Sequence, residues 1–178
     1  MANTLYILDA AALFLGDEDP TDAETITIKS VKIPALKEKT KSHMGGGATM
    51  EVNLGMRALE PLEFTFKLEG FNPKAMGQLM PAAGRLKYTV RGSIRDVKAG
   101  TDIGVRAIID GRMTSYEPSE FSRDQGIESD YMFAEIMGYQ LFLNDVEKFY
   151  FDYFGGFTGV RIDGDQPFRG VARNLGLI

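Results

Sequence analysis

The sequence predicts a mainly β fold: one β-sandwich or barrel-like domain over residues 1–178, with a single short α-helix on its flank. Three observations predict it. Residues 49–54, 62–69, 85–95 and 102–109 alternate apolar and polar side chains with period two, the pattern of strands with one buried and one wet face. Twenty glycines, twelve Phe and seven Tyr, with no Trp, favour strands and turns over a helical bundle. Only residues 73–80 carry helix-start signals. A chain of 178 residues can build one core and is short for two. No repeat, linker or low-complexity tract divides it.

The first strand is expected at residues 5–8, extending toward Leu15, followed by an acidic turn at 16–22. Residues 24–33 form the next strand. Ile26 and Ile28 share one parity while Val31 and Ile33 take the other, so a bulge is expected near Ser30. Residues 35–48, ALKEKTKSHMGGGA, are polar and lysine-rich and lack a period, so they read as a long loop reaching another subunit. Residues 49–54 put Met50, Val52 and Leu54 on the buried face, and 62–69 do the same with Phe64, Phe66 and Leu68. Asn72 and Pro73 suit the cap and first position of the helix, and Met76, Leu79 and Met80 supply its stripe. Residues 85–95 and 102–109 read as a hairpin turning at 98–101. Residues 116–128 are polar and turn-rich. Residues 130–143 are apolar on both parities and fit a strand buried on two sides, or a helix. Asn144 and Asp145 make a turn into an aromatic strand at 146–154, and glycines 155, 156 and 159 introduce the closing segment, 160–178.

The composition narrows the chemistry. Cysteine is absent, which removes disulfides and thiolate sites. The one histidine, His43, lies in the glycine-rich stretch, so a Ser-His-Asp triad has no partner set. Gly45, Gly46 and Gly47 are not followed by Gly-Lys-Ser/Thr, which argues against a phosphate cradle. Asp163 and Asp165 could hold a divalent ion, but Asp-Gly-Asp is ordinary turn chemistry. Glu51 and Glu69 could meet across adjacent strands as an acid–base pair. Nothing else points to a substrate pocket, so the chain reads as a non-enzyme without cofactor or metal. No apolar run reaches the roughly 20 residues that cross a bilayer. No basic residue precedes the apolar start, so a signal peptide and a membrane anchor are not expected, and the protein is expected to be intracellular.

Charge is segregated along the chain. Residues 9–24 hold six acids and no base, while residues 29–41 hold five lysines and one acid. Bases outnumber acids seven to three over 85–112, and acids outnumber bases nine to two over 117–153. Scattered solvated faces account for this, as do opposite-signed surfaces that pair one copy with the next. The basic face of residues 85–95 could contact nucleic acid, but the net charge of −5 favours a face turned to solvent or to another subunit. The apolar end, Leu175, Gly176, Leu177 and Ile178, would make a poor free tail, so the segment is expected to dock on its own domain or on a neighbour.

The turn Ile162-Asp163-Gly164-Asp165, then Arg173, then Leu175-Gly176-Leu177, resembles the close of the major tail tube proteins of contractile-tailed phages and R-type pyocins. Earlier features agree in order: the Pro-Ala-Leu step after Ile33, the glycines before Met50-Glu51-Val52, the Gly55-Met56 step toward Leu59-Glu60, and the short helix. Two features depart from the family: the turn lacks a residue often present between its Gly and second Asp, and residues 149–154 replace a glycine-turned hairpin.

The resemblance implies a subunit of a hexameric ring whose strands join into one continuous inner β-barrel. Rings would stack head to tail around a tape-measure protein and inside a sheath, between baseplate and tail terminator. The tube would pass DNA without sequence-specific binding, and it would reside in the virion after assembly in the host cytoplasm. The alternatives are a tube subunit of a bacteriocin-like or type VI secretion machine and, from another class, a small-molecule-binding β-barrel lined by the aromatic strands. On the tube reading, Glu51, Asn53, Glu63, Thr65 and Glu69 are lumen candidates, with Lys67 discordant among them. Lys37, Lys39, Lys41, Gly45, Gly46, Gly47, Asp163, Asp165, Arg173, Leu175 and Leu177 are inter-subunit candidates.

Overall fold

The computed structural model describes residues 4–16, 18, 21, 23–80, 84–123 and 126–178. Strands β1 (Tyr6–Leu15), β2 (Ile28–Lys32), β3 (Glu38–His43), β4 (Val52–Leu59) and β5 (Phe64–Glu69) come first, then helix α1 (Pro73–Met76). Strands β6 (Leu86–Asp96), β7 (Thr101–Pro118), β8 (Glu128–Leu143), β9 (Val146–Asp152) and β10 (Val160–Ile162) follow, and helix α2 (Arg169–Asn174) closes the chain. No helix among the described residues is long and apolar enough to cross a membrane.

The main sheet runs β1-β6-β7-β8-β5-β2, all antiparallel. Its two ends are bridged where Leu13 of β1 and Glu24, just before β2, exchange both backbone hydrogen bonds, at 3.0 and 2.8 Å. The sheet therefore curls around its apolar face as a barrel closed at one end of the β1–β2 seam. The bulge expected near Ser30 is present, as a register shift between Ile28 and Ser30.

Strand β8 forks. Its first half pairs with β5 and its second half with β9, while β7 runs along its other edge throughout. Register shifts at Asp110/Arg112 and Met113/Ser115 bend β7 at the fork, and Glu135 takes φ of 50°. Gly111 fits the bend closely: a Cβ would stand 3.2 Å from Ile136 Cγ1 and 3.5 Å from the Ala134 carbonyl oxygen. These shifts explain why residues 130–143 look apolar on both parities. Tyr131 and Phe133 are buried before the bend, Ile136 at it and Tyr139 after it, with Met132 exposed.

The barrel interior is filled by rings. Phe64, Phe66, Tyr88, Tyr131 and Phe133 pack with centroids 4.5–5.7 Å apart in their closest pairings. Leu13, Leu68, Ile109 and Met113 complete the core. Between these rings the interior is a packed core.

Several sequence expectations are corrected. Residues 35–48 are not one loop, because β3 occupies Glu38–His43 and pairs with β4 as a separate two-stranded ribbon. That ribbon lies outside the main sheet, so Val52, Leu54 and Met50 are exposed, not buried. It also parts Glu51 from Glu69: β4 and β5 belong to different sheets, and the proposed carboxylate pair does not form. Helix α1 is a single turn, with Asn72 Oδ1 accepting the Ala75 N–H at 3.0 Å, and it stops at Gly77, short of Met80. The aromatic strand ends at Asp152, whose side chain caps a 3-10 segment over Tyr153–Thr158. A second helix, α2, stands where only a docked segment was expected. Of the acidic turn at 16–22, residues 17, 19, 20 and 22 lie outside the described residues, as do 124 and 125 of the polar stretch.

Candidate assembly surfaces

The β3–β4 ribbon projects as an arm with two unlike faces. Cross-strand partners share a face, so Lys41 with Leu54 and His43 with Val52 define one, which Lys39 and Met56 extend. The opposite face carries Thr40, Ser42, Asn53 and Gly55, and the Ser42 hydroxyl donates to Glu51. The arm's base is pinned. The Glu38 carboxylate accepts the Arg57 N–H at 2.7 Å, and it lies so close over Gly55 that a Cβ there would meet its Oε1 at 2.7 Å. Arg57, at the same place, takes φ of 53°. Val52, Leu54 and Met56 are 48, 50 and 52% exposed. Gly45, Gly46 and Gly47 form the tip, where Ala48 N–H donates to the Gly45 carbonyl at 2.9 Å. Lys37 precedes the arm, and Lys39 and Lys41 lie along it.

The lumen candidates fall in two groups. Glu51 and Asn53 lie on the arm. Glu63, Thr65 and Glu69 lie on or beside the wet face of β5 in the main sheet. Lys67, the discordant member, is neutralised in place: its Nζ lies 3.4 Å from Glu128 and 3.2 Å from Asp130, and Lys29 reaches Glu128 at 2.5 Å. Hydrogen bonding from Lys29, before any other cause, holds the Glu128 carboxyl below its usual range.

Three of the four bases on the face of residues 85–95 are paired within the chain. Arg85 meets Asp110 at 3.7 Å and Glu135 at 3.5 Å, Arg95 meets Asp9 at 3.2 Å, and Arg91 is paired with Glu18. The Arg91 hydrogen bond is the leading cause that lowers the Glu18 pKa. Pairing of those three arginines leaves the face little to offer phosphates beyond Lys87.

The closing segment is half docked. Asp163 and Gly164, with φ of 51° and 86°, form the two-residue turn of a hairpin in which Ile162 and Asp165 exchange backbone hydrogen bonds. Lys148 holds Asp163 at 2.7 Å. Helix α2 buries Ala172, and Phe168 packs against the core. Beyond it Gly176, at φ of 69°, turns the chain so that Leu177 N–H reaches the Ala172 carbonyl at 2.9 Å. Leu175 and Leu177 remain 59 and 61% exposed, and Arg173 is also exposed.

Sequence reasoning missed two features. One is the exposed apolar face of the arm, because alternation reports two faces without saying what covers either. The other is a cleft of about 510 Å³ at the fork of β8, lined by Leu59, Leu62, Ile136, Phe151, Phe157 and Phe168. No local pattern signals it, since its walls come from four distant stretches.

A closed aromatic core beneath uncovered apolar surfaces and a projecting two-faced ribbon defines an assembly subunit. The particular kind follows from the sequence: residues 19–176 match the family model of phage tail tube protein FII, and the chain belongs to that family. It is a structural subunit of a tail tube. A search of curated protein sequences finds no match. Among solved structures, the chain is similar to the sheath/tube terminator of an extracellular contractile injection system (PVC) in its extended state. Identity is 12%, with 76% of this chain and 93% of that chain covered and a TM-score of 0.48. It is also similar to a chain of the sheath-tube complex of that system, with 15% identity, 75 and 89% coverage and a TM-score of 0.45. A chain of the anti-feeding prophage baseplate gives 8% identity, 80 and 95% coverage and a TM-score of 0.47.

Proposed function

We propose that six copies of this chain close into a ring, and that rings stack head to tail into the tube of a contractile tail. The family match over residues 19–176 carries this reading. The ring is heterologous: each copy presents one surface and receives another, so contacts close around the axis and continue along it. Joining the free edges of neighbouring main sheets makes one inner barrel and removes the exposed edges. The wet face bearing Glu63, Thr65 and Glu69 lines the lumen, with Lys67 and Lys29 already neutralised by Glu128 and Asp130. Pairing Lys29 and Lys67 leaves fewer cations to recruit phosphates, which lets DNA slide.

Residues Lys37, Lys39, Lys41, Gly45, Gly46 and Gly47 of the arm contact other subunits, as do Asp163, Asp165, Arg173, Leu175 and Leu177 of the closing segment. A tape-measure protein fills the tube before DNA does. The sheath surrounds it, and baseplate and terminator cap its ends. The assembled tube belongs to the virion and is built in the host cytoplasm. The function is structural and needs no cofactor.

Sedimentation velocity over a range of concentrations tests the reading. Growth from the subunit to six times its mass and then to long polymers is expected. A single species of subunit mass at every concentration, unchanged by added baseplate components, would refute it. Replacing Glu63 and Glu69 with Lys should leave polymer intact and slow DNA ejection; unchanged ejection would remove them from the lumen.

A further inference from the structure

Arg91 of β6 and Arg106 of β7 are cross-strand partners, so two guanidinium side chains stand directly opposite each other on the wet face of the main sheet. Like charges so placed destabilise a sheet unless anions offset them. The described residues commit one anion to the pair. Glu18 is paired with Arg91 and accepts the Thr89 hydroxyl at 3.2 Å. Glu147, the register partner of Phe142 on β9, is taken by Arg161, which donates to both of its oxygens at 2.9 Å. Asp145 stands at the rim of the cleft beside Arg106. Arg106 itself enters no ion pair or hydrogen bond among the described residues, and its Nε is buried without a partner.

Arg106 is nevertheless held in place. Its guanidinium carbon lies 4.5 Å from the ring centroid of Phe142, its register partner on β8. Stacking fixes the plane of the fork and leaves its edge free to donate. Beside it a cleft of about 310 Å³ opens over Gly104, where a Cβ would meet nothing within 4 Å. A half-buried, oriented guanidinium at an open cleft is a seat for one carboxylate, bound through two parallel N–H···O bonds.

Its place in the fold says which carboxylate. Around the barrel, in the order β1-β6-β7-β8-β5-β2, strands β6 and β7 stand opposite β5 and β2. With the wet face of β5 lining the lumen, the wet face of β6 and β7 looks out of the tube. We propose that Arg106, with Arg91 beside it, receives an Asp or Glu side chain of the sheath on the outside of the tube. This rests on the tube reading, which puts the sheath there and puts DNA on the opposite side of the barrel. It also accounts for the arrangement: the like-charge pair costs the free subunit stability and is relieved when a carboxylate arrives.

Arg106→Gln separates the two roles. In the free subunit it should leave the melting temperature unchanged or raise it, because one member of a like-charge pair is gone. Tubes of the variant should form at the wild-type concentration. When sheath protein of the same particle is titrated onto preformed tubes and co-pelleting is measured, the variant should need at least about tenfold more sheath for half-saturation, the scale of a lost hydrogen bond to a charged group. Lys98→Gln, which removes the same charge from the exposed turn between β6 and β7, should leave that concentration unchanged. Binding to wild-type tubes should also weaken more steeply with added salt than binding to the variant. Equal binding of sheath by Arg106→Gln tubes would overturn the proposal. So would a melting temperature lowered by many degrees, because Arg106 would then serve its own fold. Short duplex DNA that pellets with wild-type tubes and not with Arg106→Gln tubes would overturn it too, by giving the site to phosphates. Each of those results leaves the tube standing. Wild-type protein that never forms tubes would remove the tube reading, and this proposal with it.

Discussion

Replacing Leu175 and Leu177 together with Ser separates the two roles that an apolar chain end can have. The residues are 59 and 61% exposed, so about three-fifths of each side chain is open to burial by a neighbour. Full burial of a leucine is worth about 1.5–3 kcal/mol, so the exposed share is worth about 1–2 kcal/mol each and about 2–4 kcal/mol for the pair. That corresponds to roughly thirty- to several-hundred-fold in the association constant. The subunit itself should hardly change. Ala172 stays buried, and the bond from Leu177 N–H to the Ala172 carbonyl is a backbone bond that serine keeps. A surface change of within about 0.5 kcal/mol shifts the melting temperature of a domain this size by about 1–2 °C. The assay is pelleting across a concentration series, paired with calorimetry of dilute, unpolymerised subunit. A melting temperature lowered by many degrees, with polymer affected only in proportion, would refute the reasoning, because the end would then serve its own domain.

Three further predictions concern the subunit alone. Glu128 has a lowered folded pKa, so its contribution to stability is present above its unfolded value and lost as pH falls through the folded one. Glu128→Gln should therefore narrow the gap in melting temperature between pH 7 and pH 3, and an unchanged gap would contradict this. Gly111→Val places side-chain atoms against Ile136 and the Ala134 carbonyl at the bend of β7, and should cost about 1–3 kcal/mol in denaturant unfolding; a neutral result would mean the bend is not tightly packed. The buried Tyr88 hydroxyl has no hydrogen-bond partner among the described residues, and burial pushes its pKa well up. Tyr88→Phe should be neutral or stabilising by up to about 1 kcal/mol, and a loss of more than that would reveal a partner for the hydroxyl.

Much of the fold was legible because period-two alternation maps directly onto a sheet with one wet face. Phe64, Phe66 and Leu68 point inward as their spacing requires, and the hairpin of β6 and β7 lies in the expected place. The parity slip at Ser30 was readable as a bulge for the same reason. Alternation failed where burial depends on what lies opposite. Residues 52–56 carry a strand pattern whose apolar face stays about half exposed. Strand β3 was hidden because lysines, serine and threonine on a projecting ribbon need no apolar periodicity to pair with β4. The pairing of β6 arginines with Asp9, Glu18, Asp110 and Glu135 was beyond sequence reading, since three strands and a loop must come together first. For the assembly surfaces, the sequence supplied the residues but not their grouping. It put Glu51 beside Glu69 in imagination, while the topology places them in separate sheets.

Electron cryo-microscopy of the purified, polymerised protein tests the central claim most directly. The account predicts hollow tubes with six subunits per ring and the rings stacked head to tail. Closed, non-stacking oligomers, or tubes whose rings do not hold six subunits, would contradict it.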